Sequence, residues 1–434
     1  MDSTKLLAGY DLNNLAIASL GGHSALEVSL GAKKQGLRSV VVAKKGREKT
    51  YSEFLKFDPK TETGVVDEVI EVDEFSDILK PEIQKQLREL NVLFVHSRYF
   101  WVYFKDFAKV EKEFNVPILG TRELLRLEER DEKPNQYDVL NSAGIRIPKI
   151  FEIPKLKMVS RFSREYYDAT GDGEDSYLPF IDFEEKGQCI CDRHHEIEDE
   201  EDWGKYHGKN QKQFKMDRLT LTKINNATRT YERENFFASS WTEWAESASK
   251  KIQKGEITFE DLKKATVEEF ILGAPINFNF FFSPLSDRLE LLGTDTRRQT
   301  NLDGWLRLPA NEQAKLSKAG LAPSHIETGH IAATVKESLL EKAFEAGSRF
   351  VATCKKFNKK GIVGPFALQG AIETDGKKEE LVVFDVSFRM PGSPGIAATP
   401  YSSYLFGRPV SMGERIAMEV NAARMSGKLS EIIS

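Results

Sequence analysis

The first 130 or so residues alternate short apolar runs with helical stretches, and few folds accept that alternation. Leu15-Ala-Ile-Ala-Ser-Leu20 reads as a strand, Gly21-Gly22 as a turn, and Ser24 to Gln35 as a helix with Ala25, Val28 and Ala32 on one face. Further apolar runs follow at Ser39 to Ala43, Val69 to Val72 and Val92 to Val95, separated or followed by helical stretches such as Pro81 to Leu90 and Thr121 to Arg130. Strands alternating with helices predict a parallel sheet covered on both faces, with ligands bound beyond the carboxyl ends of its strands.

Beyond a connecting helix at Gln136 to Ala143 the pattern changes. Lys155 to Met216 mixes charges, aromatics and polar residues without a period, and Glu196 to Asp202 is nearly all acidic. A compact domain rarely carries so long a loop, so this stretch reads as an insertion or surface subdomain. Periodicity resumes at Leu219. Val267 to Leu272, Ile276 to Ser283 and Arg288 to Thr294 read as closely spaced strands. Lys336 to Lys356 reads as a long amphipathic helix, and Pro365 to Ile372 and Leu381 to Ser387 as two more strands. The expected fold class is therefore α/β at the start and α+β after it, without an internal repeat.

At 434 residues the chain needs two or three domains. Its 62 basic and 67 acidic side chains give a formal charge of -5, which argues against bulk affinity for nucleic acid or anionic membrane. No stretch approaches the roughly 20 apolar residues that span a bilayer. The opening residues have no long apolar core, and three cysteines make no disulfide framework, so a cytoplasmic location is expected.

The most informative segment is the pair of strands around Lys377. Gln369 and Asp385 are equidistant from it, so a hairpin through Asp375-Gly376-Lys377-Lys378 would set them opposite each other. Cross-strand neighbours have Cβ atoms about 5 Å apart, close enough to share one cation. Alternation puts Asp385, Ser387 and Arg389 on one face and Phe384, Val386 and Phe388 on the other. Magnesium takes hard oxygens and keeps water and nucleotide phosphates in its shell, so Gln369 and Asp385 are candidate metal ligands. Arg389 is the candidate catalytic cation for phosphoryl charge. An exposed polar sheet face is the plain alternative.

Four other segments carry weaker signals. Lys223 ends a strand at Leu219-Thr-Leu-Thr-Lys223 and can reach phosphates as a point charge, with the loop from Ile224 to Arg233 able to close over them. The backbone at Glu268, Glu269, Phe270 and Ile271 could read an adenine edge, unless Val267 to Gly273 is a plain buried strand. Gly22, His23 and Ser24 lie at a strand-to-helix turn, where backbone N–H groups suit a phosphate monoester; a tight turn with Ser24 as helix N-cap is the alternative. Cys189, Cys191, His194 and His195 could hold a soft metal such as zinc, but their spacing fits no common module and a solvated loop accounts for them as well.

Taken in order, these segments resemble the ATP-grasp superfamily: a lysine-ending strand and loop, a Glu-Glu-aromatic hinge, then two metal-bearing strands. The finer resemblance is to the archaeal formate-dependent FAICAR synthetases. It is carried by Ala18-Ser-Leu-Gly-Gly-His-Ser24, by Gly120-Thr-Arg122 with Leu125-Arg126 and Glu129, and by Phe282-Ser-Pro-Leu285 with Glu290-Leu-Leu-Gly293. Asn301-x-Asp303-Gly304, Gly364-Pro-Phe366 to Gln369, Phe384-Asp385 and Pro391-Gly-Ser-Pro-Gly395 extend it. It covers roughly Asn14 to Pro154 and Leu219 to Ser434.

The resemblance implies a Rossmann-like pre-ATP-grasp domain at 1–130 and an ATP-grasp domain at 131–434, with an insertion at about 155–216. It implies a carbon–nitrogen ligase of purine biosynthesis that joins formate to the amine of AICAR, uses ATP with Mg2+ or Mn2+, and forms a homo-oligomer. Three differences stand out: a glycine-free segment from Asn225 to Glu234, Val95-His-Ser-Arg-Tyr-Phe100 where many members read Pro-His-x-Ser-Phe, and the insertion. An ATP-grasp ligase with another acid or amine, and a nucleotide-binding regulator without catalysis, stay open as alternatives.

Overall fold

In the computed structural model, residues 3–22, 24–104, 107–162, 177–185, 188–189, 216–224, 235–321, 323, 325–374 and 376–434 are described. The first sheet is parallel. Its strands are β1 (Ala16–Leu20), β2 (Arg38–Lys44), β3 (Glu68–Val72), β4 (Val92–Val95) and β5 (Ile118–Leu119), in the order β3-β2-β1-β4-β5. β1 and β4 are buried at every residue, as expected of strands covered on both faces. Strand order reverses at β1, whose two neighbours are β2 and β4. The helical stretch expected at Thr121 to Arg130 is a short 3-10 helix, Arg122–Glu128. Arg122 is fully buried there and donates to the carbonyls of Val110, Phe114 and Val116, so its part is to tie loops together.

The chain divides into two compact units, residues 1–147 with 272–434, and residues 148–271. The second unit holds β6 (Ile150–Phe151), β7 (Leu156–Phe162), β8 (Tyr177–Glu185), β9 (Gln188–Cys189), β10 (Thr220–Lys223), β11 (Asn235–Ala238) and β12 (Thr266–Glu269). They form two sheets, ordered β11-β10-β12-β6 and β7-β8-β9. Ser240 caps the helix Trp241–Gln253 through the Glu243 amide. That helix buries Trp244, Ala245 and Ala248 in a core with Phe151, Phe236 and Val267. Part of the apparent insertion is thus ordinary β-structure, while residues 190–215 lie outside the described residues, and with them Cys191, His194, His195 and the acidic run.

The first unit is completed by an antiparallel sheet of β13 (Ala274–Ser283), β14 (Arg288–Asn301), β15 (His325–Ala332), β16 (Gly364–Thr374) and β17 (Glu379–Ser387), ordered β15-β14-β13-β16-β17. The helix Glu337–Phe357 covers one face, packing Ala343, Ala346 and Phe350 with Phe278, Phe280, Phe366 and Leu368. Alternation along β13 sends Ile276, Phe278, Phe280 and Phe282 to that core. Asn277 and Asn279 therefore point to the opposite face, which is polar around them and apolar from Phe281 on. The mixed α/β architecture, Rossmann-like first and antiparallel later, is the one the sequence implies. Among the described residues no helix is long and apolar enough to cross a membrane.

Candidate active site

The polar face of the antiparallel sheet is organised in rows. Asp295, Asn277, Gln369 and Asp385 are successive register partners across β14, β13, β16 and β17. Gln369 does face Asp385, for a reason that symmetry about Lys377 misses. Near the turn the register runs from Thr374↔Glu379 to Gly370↔Val383; beyond it, Gln369 pairs with Asp385. Phe384 is the extra residue of a β-bulge. Without the bulge, Phe384 would stand opposite Gln369 and Asp385 would turn toward the core beside Leu368. The bulge also corrects the expected apolar face: Val383, not Phe384, joins Val386 and Phe388 in the core.

The oxygens proposed for a cation are held by guanidinium groups. Asp385 Oδ1 accepts from Arg130 Nη2 at 2.9 Å, and Arg130 also donates to the Phe384 carbonyl. Gln369 Oε1 accepts from Arg297, and its Nε2 donates to Ser387 Oγ at 2.9 Å. Arg389 is buried, donates to the Met390 carbonyl, and lies 3.2 Å from Glu128 Oε1. Among the described residues no group of three or more acidic, His or Cys side chains could hold a metal alone. One carboxylate and one amide oxygen do fit a divalent ion that keeps waters and takes its remaining ligands from a triphosphate. The surrounding arginines fit the charge of that triphosphate.

Several residues here are not singled out by sequence reasoning. Asp295, buried, accepts from Asn277 (2.9 Å), Asn279 (2.7 Å) and His330. The other His330 nitrogen is 3.0 Å from Glu327, which also pairs with Arg297. Burial alone would lower the His330 pKa, but its bonds to Asp295 and Glu327 more than reverse this and raise it to about 9. The one available signal was Asn277 and Asn279 at period two inside an aromatic run. Burial raises Glu128 to about 7, opposed by Arg389, and Glu129 to about 7, opposed by Arg98 and Arg130.

The carboxyl ends of the parallel strands meet at the order reversal. β1 leads into Gly21 and Gly22, and β4 into His96, Ser97 and Arg98. A Cβ on Gly22 would overlap the Tyr99 ring, so only glycine fits. Ser24 does not cap the helix Ala25–Lys34; its hydroxyl donates to the Pro391 carbonyl at 2.8 Å. That bond joins the N-terminal turn to the segment carrying Arg389. His23 lies outside the described residues. His96 is 2% exposed, and burial with nearby Arg389 and Arg122 lowers its pKa to about 3, opposed by the backbone at Leu119 and Phe388.

In the second unit Lys223 is buried rather than solvated, and its ammonium pairs with Glu268 on β12. Glu269 pairs with Arg218, and its amide donates to the Lys149 carbonyl at 2.8 Å. The Phe270 amide donates to Leu219 at 3.0 Å; its ring meets the Phe237 ring edge-on, and Ile271 is buried. Residues 225–234 lie outside the described residues.

A parallel-sheet domain, a small β unit with a buried lysine, and an antiparallel sheet with a Gln–Asp pair define an ATP-grasp fold. Solved structures agree on the fold. An IMP biosynthesis protein PurP from Thermococcus kodakaraensis superposes with a TM-score of 0.60 at 22% identity, covering 96% of this chain and 100% of that one. A biotin carboxylase–β,γ-ATP complex from Campylobacter jejuni gives 0.51 at 10% identity, covering 94% and 70%. Family models described as a protein of unknown function (DUF1246) and a domain of unknown function (DUF1297) match residues 17–151 and 243–434. The 5-formaminoimidazole-4-carboxamide-1-(beta)-D-ribofuranosyl 5'-monophosphate synthetase of Methanopyrus kandleri is 34% identical over 430 residues, covering 99% of this chain and 98% of that one. Its namesake in Methanocaldococcus jannaschii is 33% identical over 427 residues, covering 98% and 96%. The chain belongs to this synthetase family.

Proposed function

We propose that the chain joins formate to the amine of AICAR, giving FAICAR in purine biosynthesis and splitting ATP to ADP and phosphate. The observation that carries this reading is the Gln369–Asp385 pair, set face to face by the bulge among Arg130, Arg297 and Arg389. Family membership supports the choice of substrates.

In this reading a formate oxygen attacks the γ-phosphorus of ATP, the bond to the bridging oxygen breaks, and ADP leaves. The AICAR amine then attacks the formyl carbon of the resulting formyl phosphate; phosphate leaves and the nitrogen loses a proton. Gln369 and Asp385 hold Mg2+ or Mn2+, which when bound neutralises triphosphate charge. Arg389 steadies the charge of the phosphoryl group in transfer. Lys223 contacts nucleotide phosphates, and Glu268, Glu269, Phe270 and Ile271 border the base. Gly22, His23 and Ser24 receive the ribonucleotide phosphate; because the Ser24 proton is held by Pro391, backbone N–H groups carry most of that contact. The reading includes a Rossmann-like domain at 1–130, an ATP-grasp domain at 131–434, a homo-oligomer and a cytoplasmic location.

Steady-state ADP release, measured with and without formate and AICAR, tests it. Release that needs both is the expected result. Release that needs another acid or amine would change the substrates, and no release with any pair would leave a nucleotide-binding regulator.

A further inference from the structure

Four arginines converge on the polar sheet face, and three of them are engaged. Arg130 holds Asp385 and the Phe384 carbonyl, Arg297 holds Gln369 and Glu327, and Arg389 holds the Met390 carbonyl beside Glu128. The fourth is Arg98, three residues past the end of β4. It lies within electrostatic reach of Arg389, Asp385, Arg297 and Glu128. Among the described residues its guanidinium makes no hydrogen bond and no ion pair. Burial and the two neighbouring arginines work against its charge, while Asp385 and Glu128 favour it. Arg98 is half-buried, so its five donors stay open to solvent and are placed to take up an anion.

The position of Arg98 narrows the choice of anion. Its backbone stands at the switch point of the parallel sheet, next to Tyr99, whose ring fills the space over Gly22. Its charge, by contrast, is felt at Asp385 on the antiparallel sheet and at Arg389 just past it. In the function proposed above, on which this inference rests, the ribonucleotide phosphate belongs to the Gly22 turn and the transferred phosphoryl to Asp385 and Arg389. The group that must lie between them is the acid, because it accepts the phosphoryl and then meets the amine. A planar guanidinium matches a carboxylate through two parallel N–H···O bonds. We propose that Arg98 is the receptor for the carboxylate of the acid substrate, formate.

The test uses the full chain and its Arg98→Ala and Arg98→Lys variants. Arg98→Ala should raise the formate KM about tenfold or more, the loss expected for a charge-assisted contact. Arg98→Lys should fall between, since a lysine keeps charge without the fork. AICAR and Mg-ATP dissociation constants, read by calorimetry without formate, should stay within about twofold of wild type. Added guanidinium ion should lower the formate KM of Arg98→Ala, which a purely structural role would not allow. An unchanged formate KM in an active variant overturns the inference, as does weakened AICAR binding in its place. Loss of folding in Arg98→Ala leaves Arg98→Lys to decide by the same two readings. Wild-type protein without formate-dependent ADP release overturns the proposed function itself, an outcome separable from failure at Arg98 alone.

Discussion

At the scale of single residues, the site sets buried charges against one another. Asp385 meets Arg130 at 2.9 Å, so Asp385→Asn keeps an acceptor for the arginine while removing the charge offered to a divalent ion. The variant should retain its melting temperature and lose on the order of a hundredfold in kcat, as expected when a charged group of the transition state is removed. Wild-type turnover in a folded Asp385→Asn would remove it from the metal site. Glu27 lies outside the site, under the helix Met412–Met425, where its Oε1 accepts the Met412 amide. Burial raises its pKa from 4.5 to about 7 despite that bond. A raised carboxyl pKa means the native state binds more protons than the unfolded chain between those values. The contribution is therefore full below about 4.5 and is lost as pH rises through about 7, by on the order of 3 kcal/mol. Glu27→Gln should flatten the fall in stability between those pH values. Urea unfolding at pH 5 and pH 8 checks this: equal pH slopes in wild type and variant would count against it.

At the scale of elements, two close approaches fix the geometry. The helices Ala25–Lys34 and Met412–Met425 cross at Gly31 and Gly413, where a Cβ on either would overlap the backbone of the other helix. Gly413→Ala should force the helices apart and cost on the order of 1–3 kcal/mol, measured by urea denaturation. It should weaken AICAR binding too, because the first of these helices begins at the Gly22–Ser24 turn; a variant of native stability would mean the crossing adapts freely. The β-bulge at Phe384 is the second device. The apolar residues Val383 and Val386 are three apart, and only an extra residue lets both reach the core. This shows what the sequence makes legible. The parallel sheet, the helix at 337–357 and the hairpin at 364–387 carry strong periods and are visible in it. The Gln369–Asp385 pairing is legible too, although the arithmetic that suggests it neglects the bulge. The helix Met412–Met425 is hidden because buried Glu414, Arg415 and Glu419 break its apolar stripe. Arg415 is neutralised by Glu290 and Glu419, partners that lie 125 positions back and one turn on. Asp295, His330 and Arg297 are hidden for the same reason: their meaning comes from cross-strand partners, not from local spacing.

At the scale of the whole molecule, the residues of the proposed reaction belong to two separate cores. Leu15, Ile17 and Leu93 of the parallel sheet share one core with Phe281, Leu292, Met412 and Ile416, so the N-terminal turn and the antiparallel sheet form a single solid unit. Lys223 and Glu268 belong to the other unit, whose core is built around Trp244. Lys223 thus has two possible roles, to neutralise a buried glutamate or to bind nucleotide. Lys223→Ala mixes them, because it strands the Glu268 carboxylate, 3% exposed, without its partner. Breaking such a pair costs about 3–5 kcal/mol, whereas removing both charges is often nearly neutral. The double variant Lys223→Ala/Glu268→Gln should therefore recover most of the stability lost in the single variant. It should not recover ATP affinity if the ammonium contacts the phosphates; that should stay about tenfold or more below wild type. AICAR affinity, assigned to the other unit, should match wild type in both variants. Thermal unfolding paired with calorimetry for each ligand separates the roles. ATP affinity that returns with stability would make Lys223 a structural counter-ion only, and AICAR affinity that falls in step with ATP would contradict the assignment of AICAR to the Gly22–Ser24 turn.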